Sequence, residues 1–335
     1  MARKTIISKP PPSSPSDSSP HPALPHRIAG GLHGLLVGDA LGVPYEFNPP
    51  DRLPPRDAIE MSPPAGFRRS HARVRPGTWS DDGAQALALL SSLLECDRLD
   101  LDDFGRRLLA WREQGAFAVD GDVFDIGAQT DDALDALAAG AEAAASGPRG
   151  ERDNGNGSLM RVLPLALWHR GDDDALVRDA RAQSLVTHGH PRAQVCCALY
   201  CLWARRLIAE RADAWADAWA DAVATLRAII AGDAAATHEL EHHVRPDDPP
   251  RGMGSGYVVD ALHSARMVFD AGSYEDVVRS AVALGEDTDT TACIAGGLAG
   301  IRDGVAAIPE RWMRVMRGRE IVEPLLERLL AQLGE

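Results

Sequence analysis

One stretch of the sequence carries more carboxylates than its local structure requires. In GEDTDTTACIAGGLAG (residues 285–300), Glu286, Asp287 and Asp289 stand among hydroxyl side chains, directly before small apolar residues. Asp287 or Thr288 can serve as the N-cap of a helix that starts near Asp289, but a cap accounts for one acid and not for three. The remaining carboxylates indicate a chemical role.

A second stretch has the same design. In GTWSDDGAQALALL (residues 77–90), Ser80, Asp81 and Asp82 stand at the start of another apolar helix. Burying several carboxylates together is costly unless cations neutralise them, and oxygen ligands without clustered His or Cys suit Mg²⁺, Mn²⁺ or Ca²⁺. If the two stretches meet, enough side-chain oxygens converge to hold two metal ions that share a bridging carboxylate.

A glycine-containing stretch has two interpretations. DNGNGSLMRVLPLALW (residues 153–168) places Gly155 and Gly157 among Asn and Ser residues, before a predicted helix. Exposed backbone N–H groups and a helix N-terminus form a cradle for an anion such as phosphate. The same residues suit a loop that only caps the helix, because the stretch is neither a GxGxxG motif after a strand nor a Walker A loop.

Two further motifs contain candidate acid–base groups. His188 and His190 in VTHGHPRAQ precede a proline and a predicted helix, where a lone histidine is usually structural and a pair favours a functional role. Asp125 in VFDIGAQT lies between two apolar residues. Such neighbours raise the pKa of a carboxyl group and suit it to act as a base, although Asp125 also fits a helix cap just before Gly127.

The elements that position these residues are predicted to be helices. Good helix formers are abundant, β-branched residues are sparse, and hydrophobic residues make up 45% of the chain. Apolar spacing and acidic helix starts indicate helices in residues 26–42, 81–99, 100–114, 130–145 and 191–230. The absence of alternating strand patterns then favours an all-α protein.

Two segments on the C-terminal side of this pattern have further predictions. DAWADAWADA, inside the long helix of residues 191–230, repeats every four residues and places Trp215 and Trp219 on one core-facing stripe. Its aspartates, at positions 213, 217 and 221, share another face. HELEHHVRPDDPPRG (residues 238–252) is predicted to be an acid-rich surface loop whose histidines lie in solvent rather than on a metal.

The predicted organisation is one all-α domain over residues 26–335, preceded by a disordered Pro/Ser-rich tail over residues 1–25. The tail is either inert or a flexible arm that reaches a partner. A net charge of −14 argues against a nucleic acid or an anionic membrane as partner. The five cysteines lack the spacing of a zinc site and are predicted to be core thiols of a cytoplasmic protein. The sequence has no apolar run long enough for a membrane span, and none is predicted.

The motifs, taken together and in this order, resemble the ADP-ribosylglycohydrolase family, which includes the dinitrogenase-reductase-activating glycohydrolase. The resemblance extends over residues 27–335. The matching segments are GLLVGDALGVPYEF with its acid Glu46, TWSDDGAQ, VFDIGAQT, GNGSLMR, THGHP, GSGYVVDAL with Tyr257, and GEDTDTTACIAGGLAG. Ser80 keeps a hydroxyl where the family has Thr, Gly83 replaces the last Thr of the same motif, and Glu286 stands where Gly is frequent.

This resemblance implies a single-domain orthogonal helical bundle with a binuclear Mg²⁺ or Mn²⁺ centre. The implied metal ligands are Ser80, Asp81, Asp82, Asp287, Asp289 and Thr290. The implied catalytic residues are Asp125, as base toward water or toward a ring-opening step, and Glu46 beside the site. The implied substrate contacts are Gly127, Asn156, Gly157, Ser158, Met160, His188, Tyr257 and Glu286, with the loop of residues 155–160 holding a diphosphate.

The resemblance also implies the reaction. We expect a metal-dependent hydrolase that removes ADP-ribose from a modified acceptor, foremost ADP-ribosyl-arginine on a protein, with an ADP-ribose-containing small molecule as another acceptor class. One alternative is a protein that binds ADP-ribose or an ADP-ribosyltransferase with little turnover, using the N-terminal tail as a contact. Another is a metal-stabilised structural protein of the crystallin kind.

Overall fold

The computed structural model describes residues 22–209, 215 and 217–333. Within these residues the chain forms α-helices joined by turns and short 3₁₀ segments, with no strand, and one isolated bridge pairs Gly155 with Tyr257. The all-α prediction is therefore confirmed. The helices are α1 (Leu24–Gly42), α2 (Asp81–Cys96), α3 (Leu101–Gln114), α4 (Ala128–Ala138), α5 (Ala143–Ser146), α6 (Leu163–Trp168), α7 (Asp173–Ser184), α8 (Pro191–Ile208), α9 (Ala218–Ile230), α10 (Ala234–His238), α11 (Val258–Val268), α12 (Tyr274–Val282), α13 (Thr288–Asp303), α14 (Glu310–Val315) and α15 (Arg319–Ala331).

Helices α1 and α13 form the central pair of the fold and run antiparallel in direct backbone contact. Glycines recur at every fourth position of α1, at 30, 34, 38 and 42, on the face toward α13. A β-carbon added to Gly38 would lie 2.1 Å from the carbonyl oxygen of Ala292, and one added to Gly42 would lie 2.4 Å from the Cα of Asp289. This approach brings the C-terminus of α1 against the N-terminus of α13, where the acids of the first motif lie.

We expect Gly38→Ala to destabilise the protein by about 2–3 kcal/mol, because the added methyl group meets backbone that a side-chain rearrangement cannot move. Gly105→Ala in α3 is the matched control, since its β-carbon would meet nothing nearer than 3.6 Å. At that position alanine is expected to stabilise the helix by up to about 1 kcal/mol. Urea unfolding of both variants measures the two effects, and equal effects would contradict the close-packing account.

Two predictions about the C-terminal half are wrong. The predicted helix over residues 191–230 is interrupted: α8 ends at Ile208, Ala209 is extended, and α9 begins only at Ala218. Trp215 therefore lies in a turn and not in one helix with Trp219, but both side chains pack against the core as predicted, and Trp219 lies edge-on to Trp203 at 5.1 Å. Asp213 lies outside the described residues.

The second prediction, an acid-rich loop over residues 238–252, is wrong for its first half and agrees with the structure over residues 245–252, which have no regular structure. Its first part closes α10 and continues as a π-helix, Glu239–Val244. The wide π turn brings the ring of His238 to 4.7 Å from that of His242 and 5.6 Å from that of His243. His242 is exposed, as the sequence predicts, and His243 is half-buried.

The cysteines and the helix lengths agree with the sequence. None of the five cysteines forms a disulfide, and all except Cys96 are buried in the core. Over the described ranges, every helix is too short or too polar to cross a bilayer.

Candidate active site

Three helix ends meet at the site: the C-terminus of α1 and the N-termini of α2 and α13. Asp39 of α1 joins the first two, because its carboxylate accepts the backbone N–H groups of Ser80 and Gly83, each at 2.8 Å. The Thr288 hydroxyl joins the third by donating to the Gly42 carbonyl at 2.8 Å. Helix N-termini favour negative charge, so two of the three ends stabilise carboxylates placed between them.

The acids of the two motifs form two overlapping groups at this junction. In each group the carboxylate oxygens lie within 4.8 Å of one another: Asp39, Asp82 and Asp289 in the first, and Glu46, Asp287 and Asp289 in the second. Asp289 is common to both groups. Its Oδ2 is buried and has no hydrogen-bond partner among the described residues. A buried carboxylate oxygen without a donor fits a cation ligand.

The other predicted ligands lie at the same junction. The Thr290 hydroxyl donates to Asp82 Oδ1 at 3.1 Å, and the Ser80 hydroxyl lies 3.3 Å from Asp82 Oδ2. Asp81 lines the adjoining cavity together with Asp287 and Thr290. The structure thus brings the six predicted ligands together from two segments about 200 residues apart in sequence.

Glu46 and Asp125 meet at a histidine. His71 Nε2 lies 2.7 Å from Glu46 Oε2 and 3.8 Å from Asp125 Oδ1. The imidazole lies between two aromatic rings, 5.7 Å from that of Phe47 and 5.1 Å from that of Phe124. Burial raises the pKa of Asp125 and lowers the pKa of His71. His71 therefore hydrogen-bonds Glu46 and lies beside Asp125 without a hydrogen bond to it.

Backbone strain is concentrated around this site. Phe47, His71, Asp125 and Glu286 are non-glycine residues with φ between 46° and 61°, the left-handed region that L-residues seldom adopt. Such conformations persist where the surrounding contacts hold them, and they cluster at functional sites. Here they place all four side chains around the acidic junction.

A cavity of about 390 Å³, here called the loop cavity, opens between the acids and the glycine-containing stretch. Its lining is Glu46, Phe47, Asp81, residues 125–130, residues 155–157, Met160, His188, Gly256, Asp287 and Thr290. The Asn156 side chain donates to Asp287 Oδ2 at 2.8 Å, which ties the loop to the acids. Asp125 and the acidic groups thus face the same space as the loop.

The loop has fewer amides available for an anion than its sequence suggests. The N–H of Gly155 donates to Gln129 Oε1 and that of Asn156 to the Gly256 carbonyl. The amides of Gly157 and Ser158 meet no acceptor in the described part of the chain. The predicted helix N-terminus is not at the loop, because α6 begins only at Leu163. Of Gly157 and Ser158, only Gly157 lines the loop cavity, so an anion held here depends on the Gly157 amide and not on a helix dipole.

Two predicted substrate contacts have different surroundings from those expected. The Ser158 side chain is completely buried, lies 2.8 Å from the Ser184 hydroxyl, and does not line the loop cavity. Tyr257 lies beside the cavity, with its backbone bridged to Gly155 and its hydroxyl accepting from Arg192 Nη1 at 3.3 Å. The structure therefore does not place Ser158 in contact with a ligand in this cavity.

His188 lines the loop cavity and is neutral. Its side chain is buried, and its Nδ1 lies 2.8 Å from the Thr187 hydroxyl. Burial lowers its pKa to about 3, and the positive charge of Arg161 acts in the same direction. His190, the second histidine of the motif, instead caps α8 by accepting the N–H of Arg192.

Arg161 is a buried cation that connects the loop to α2. Its Nη1 donates to Gln85 Oε1 at 2.7 Å and its Nε donates to Gln183 Oε1 at 3.2 Å. Gln85 in turn donates to Asp81 Oδ2 at 2.9 Å. The guanidinium carbon lies 5.0 Å from the centre of the Phe104 ring. This chain of contacts fixes Asp81 from behind, while burial lowers the pKa of Arg161 to about 10.

The sequence model of the ADP-ribosylglycohydrolase family matches residues 20–335. The chain belongs to the ADP-ribosylglycohydrolase family. It is 30% identical over 307 residues to the ADP-ribosylarginine hydrolase Tri1 of Serratia proteamaculans (strain 568), covering 90% of this chain and 78% of that protein. It is 28% identical to the ADP-ribosyl-[dinitrogen reductase] glycohydrolase of Rhodospirillum rubrum, covering 87% of this chain and 90% of that protein. The solved structure of an ADP-ribosylglycohydrolase-related protein complex is similar with a TM-score of 0.71 and 31% identity, over 92% of this chain and 98% of that chain.

Membership of the ADP-ribosylglycohydrolase family confirms the predicted enzyme class. The chain is an ADP-ribosyl-acceptor hydrolase that acts on a glycosidic bond. The structural-protein alternative is therefore not retained. The roles of individual residues remain predictions, and so does the nature of the cations.

Three residues of this ADP-ribosylglycohydrolase site are not identified by the sequence analysis. Asp39 has a readable signal, since it is an acid within an otherwise apolar predicted helix. Arg161 has a weaker one, as a charge between the loop motif and an apolar run. His71 has none, because it lies in a segment without periodicity and reaches the site only through the fold.

Burial raises the pKa of the clustered carboxyl groups in this ADP-ribosylglycohydrolase. It raises the pKa of Asp39 to about 7 and, with repulsion from the neighbouring carboxylates, that of Glu46 to about 11. Burial and the same repulsion raise the pKa values of Asp82 and Asp289 well above their usual range. At neutral pH the cluster therefore requires either protons or cations.

We expect the stabilisation by Mg²⁺ to increase with pH. A carboxyl group whose pKa is raised by folding stabilises the folded protein at low pH, and this contribution is lost as pH rises through the folded pKa, about 7 for Asp39. Without metal, this effect lowers the free energy of unfolding between about pH 5 and about pH 8, whereas bound cations replace the protons.

The measurement is urea unfolding in Mg²⁺ and in EDTA at each pH. His188, with a pKa lowered to about 3, destabilises the fold as pH falls below the usual histidine value. That effect is common to both conditions, so the difference between them isolates the acidic cluster. A difference that stays constant with pH would contradict a cation site there.

Proposed function

We propose that this protein hydrolyses the N-glycosidic bond between ADP-ribose and an arginine side chain of a modified protein. The observation that carries the proposal is the loop cavity, which Asp125, the acidic cluster and the glycine-containing loop all line. A base, a cation site and an anion site around one space are what hydrolysis of an ADP-ribosyl bond requires. The arginine linkage is supported by the name of the relative from Serratia proteamaculans.

The acidic cluster would hold two Mg²⁺ or Mn²⁺ ions. The residues that would hold them are Ser80, Asp81, Asp82, Asp287, Asp289 and Thr290, with Asp289 shared because it belongs to both groups of carboxylates. Hard oxygen donors without histidine or cysteine fit these cations. When bound, they supply Lewis-acid contacts that hold the ribose hydroxyls in place.

The chain's own residues supply the remaining parts of the mechanism. Asp125 takes a proton, either from the attacking water or in a ring-opening step, and its raised pKa suits a base that works near neutral pH. His71 holds Glu46 in position through a hydrogen bond and lies beside Asp125. The amide of Gly157 binds the diphosphate. The broken bond leaves the arginine nitrogen with a proton and the sugar carbon with the hydroxyl of water.

Neutral side chains complete the substrate side. His188 lines the loop cavity without a charge, so it can accept or donate a hydrogen bond to the ribose or nucleoside. Met160 and Gly127 line the same cavity. Tyr257, fixed by Arg192, borders it through its bridge to Gly155.

The test is release of free ADP-ribose from an arginine-ADP-ribosylated protein, in Mg²⁺ or Mn²⁺ and then in EDTA. Metal-dependent release supports the proposal. No release, with tight ADP-ribose binding by calorimetry, would favour the alternative of a binding protein or another linkage. Deleting residues 1–21, which leaves α1 intact, tests the proposed role of the tail in binding an ADP-ribosyltransferase, because the rate on a small substrate should not change. Residues 1–21 of the tail lie outside the described residues.

A further inference from the structure

A second cavity, of about 800 Å³, adjoins the loop cavity. The two cavities share Glu46, Phe47, Gly256 and Asp287. No residue of the ranges 125–130 or 155–160 lines the second one. A glycosidic bond held over the acidic cluster therefore has one cavity for the ADP-ribose group and another for the acceptor group. The loop cavity suits the ADP-ribose side, which leaves the second cavity for the leaving group.

Apolar side chains and a strained contact shape the second cavity. Phe47, Met253 and Leu284 line it, and Phe47 and Met253 are 66% and 72% exposed. The backbone of Phe47 donates to the Glu286 carbonyl at 2.7 Å, and that of Glu286 donates to the Asn48 carbonyl at 2.9 Å. These two bonds hold Phe47 and Glu286 in left-handed conformations. An exposed aromatic ring is thus fixed beside a carboxylate.

The ionisable side chains among the described residues that line the second cavity are all acidic, and Glu286 is the one that takes no part in the acidic cluster. Glu46, Glu286 and Asp287 line it, and its described lining contains no lysine or arginine. A guanidinium group matches such a wall, because it pairs with carboxylates through parallel hydrogen bonds and stacks on aromatic rings. A second adenosine diphosphate group does not match it, since phosphates and carboxylates repel.

We propose that the second cavity binds the arginine-bearing segment of the acceptor protein, and that Glu286 selects a cationic acceptor. This inference rests on the proposed function, which supplies the arginine linkage. Glu286 lines the second cavity and not the loop cavity, so its carboxylate acts on the acceptor rather than on ADP-ribose. Phe47 and Met253 supply the apolar surface that covers the aliphatic part of the arginine.

The test compares two ligands on the full chain carrying Asp125→Asn, which keeps the bond intact. Calorimetry in Mg²⁺ measures the Kd of an arginine-ADP-ribosylated peptide and of free ADP-ribose. The peptide is expected to bind about tenfold more tightly, a gain typical of one charge-assisted contact. Glu286→Gln and Met253→Lys should each remove most of this gain while changing the Kd of ADP-ribose by less than about twofold.

Two exposed positions away from the cavity provide matched controls. Glu113→Gln in α3 and Met267→Lys in α11 make the same chemical changes and should leave the gain intact. Equal affinity for the two ligands would overturn the inference. It would also be overturned if Glu286→Gln and Met253→Lys weakened the binding of free ADP-ribose as much as the binding of the peptide.

The proposed function can fail separately. In one outcome, the chain with Asp125 intact releases no ADP-ribose, but the peptide still binds more tightly than free ADP-ribose and this gain depends on Glu286. Hydrolysis of arginine linkages is then refuted, and the acceptor cavity stands. If release occurs and Glu286→Gln changes nothing, the hydrolase stands and the acceptor cavity is refuted.

Discussion

Replacing Asp289 by Asn is expected to abolish ADP-ribose release without unfolding the protein. Asp289 is the carboxylate common to both groups of acids, and its Oδ2 has no other partner among the described residues. Loss of the shared ligand should remove both cations and lower the rate by roughly a thousandfold or more, since cation contacts contribute several kcal/mol to catalysis.

The stability of Asp289→Asn without metal should not fall with its activity. In EDTA, Asp289→Asn replaces a carboxyl group that the metal-free cluster buries only with a proton, so at neutral pH the free energy of unfolding should rise or stay constant. The added stability from Mg²⁺ should disappear. Asp102→Asn, an exposed acid in the first turn of α3, is the control and should preserve activity and the Mg²⁺ effect. Normal metal-dependent turnover by Asp289→Asn would refute the shared-ligand assignment.

Asp125→Asn is expected to lower kcat by about a hundredfold to ten-thousandfold, the contribution of a general base. Asn adopts left-handed backbone more readily than most residues, so the φ of 61° at this position should be retained. Because the acidic cluster and the loop are unchanged, the Kd for ADP-ribose should change little. Single-turnover kinetics and calorimetry measure the two quantities.

Asp122→Asn is the matched control, because Asp122 lies in the same segment, is exposed, and pairs only loosely with Arg73 at 3.5 Å. It should keep both kcat and affinity. A wild-type kcat in Asp125→Asn would exclude Asp125 as the base. A loss of affinity as large as the loss of kcat would instead show that Asp125 acts mainly in binding.

The opposite signs expected at Gly38 and Gly105 illustrate how the fold supports the site. The glycine spacing of α1 permits backbone contact with α13, and that contact sets the distance between Asp39 and Asp289. Small residues behind the acids are therefore part of the site's geometry. This accounts for a stretch in which three carboxylates run directly into alanines and glycines.

The sequence alone determined the helical class and both acidic motifs. Helix periodicity and capping are local properties, so the starts of α2 and α13 follow from residues within a few positions of Ser80 and Asp287. The order and content of the motifs were also sufficient to indicate the family. The same local rules failed at Ala209, whose backbone is extended directly after the end of α8 although the sequence pattern favours continuation of the helix.

Only the tertiary structure decided which groups face each other. Thr288 and Gly42 are 246 residues apart and hydrogen-bonded, and no local pattern contains that contact. The same is true of His71 beside Glu46 and Asp125, and of the inward turn of the Ser158 hydroxyl. Convergence at a site depends on the packing of distant helices, whose energy comes from burial and close contact rather than from sequence neighbours.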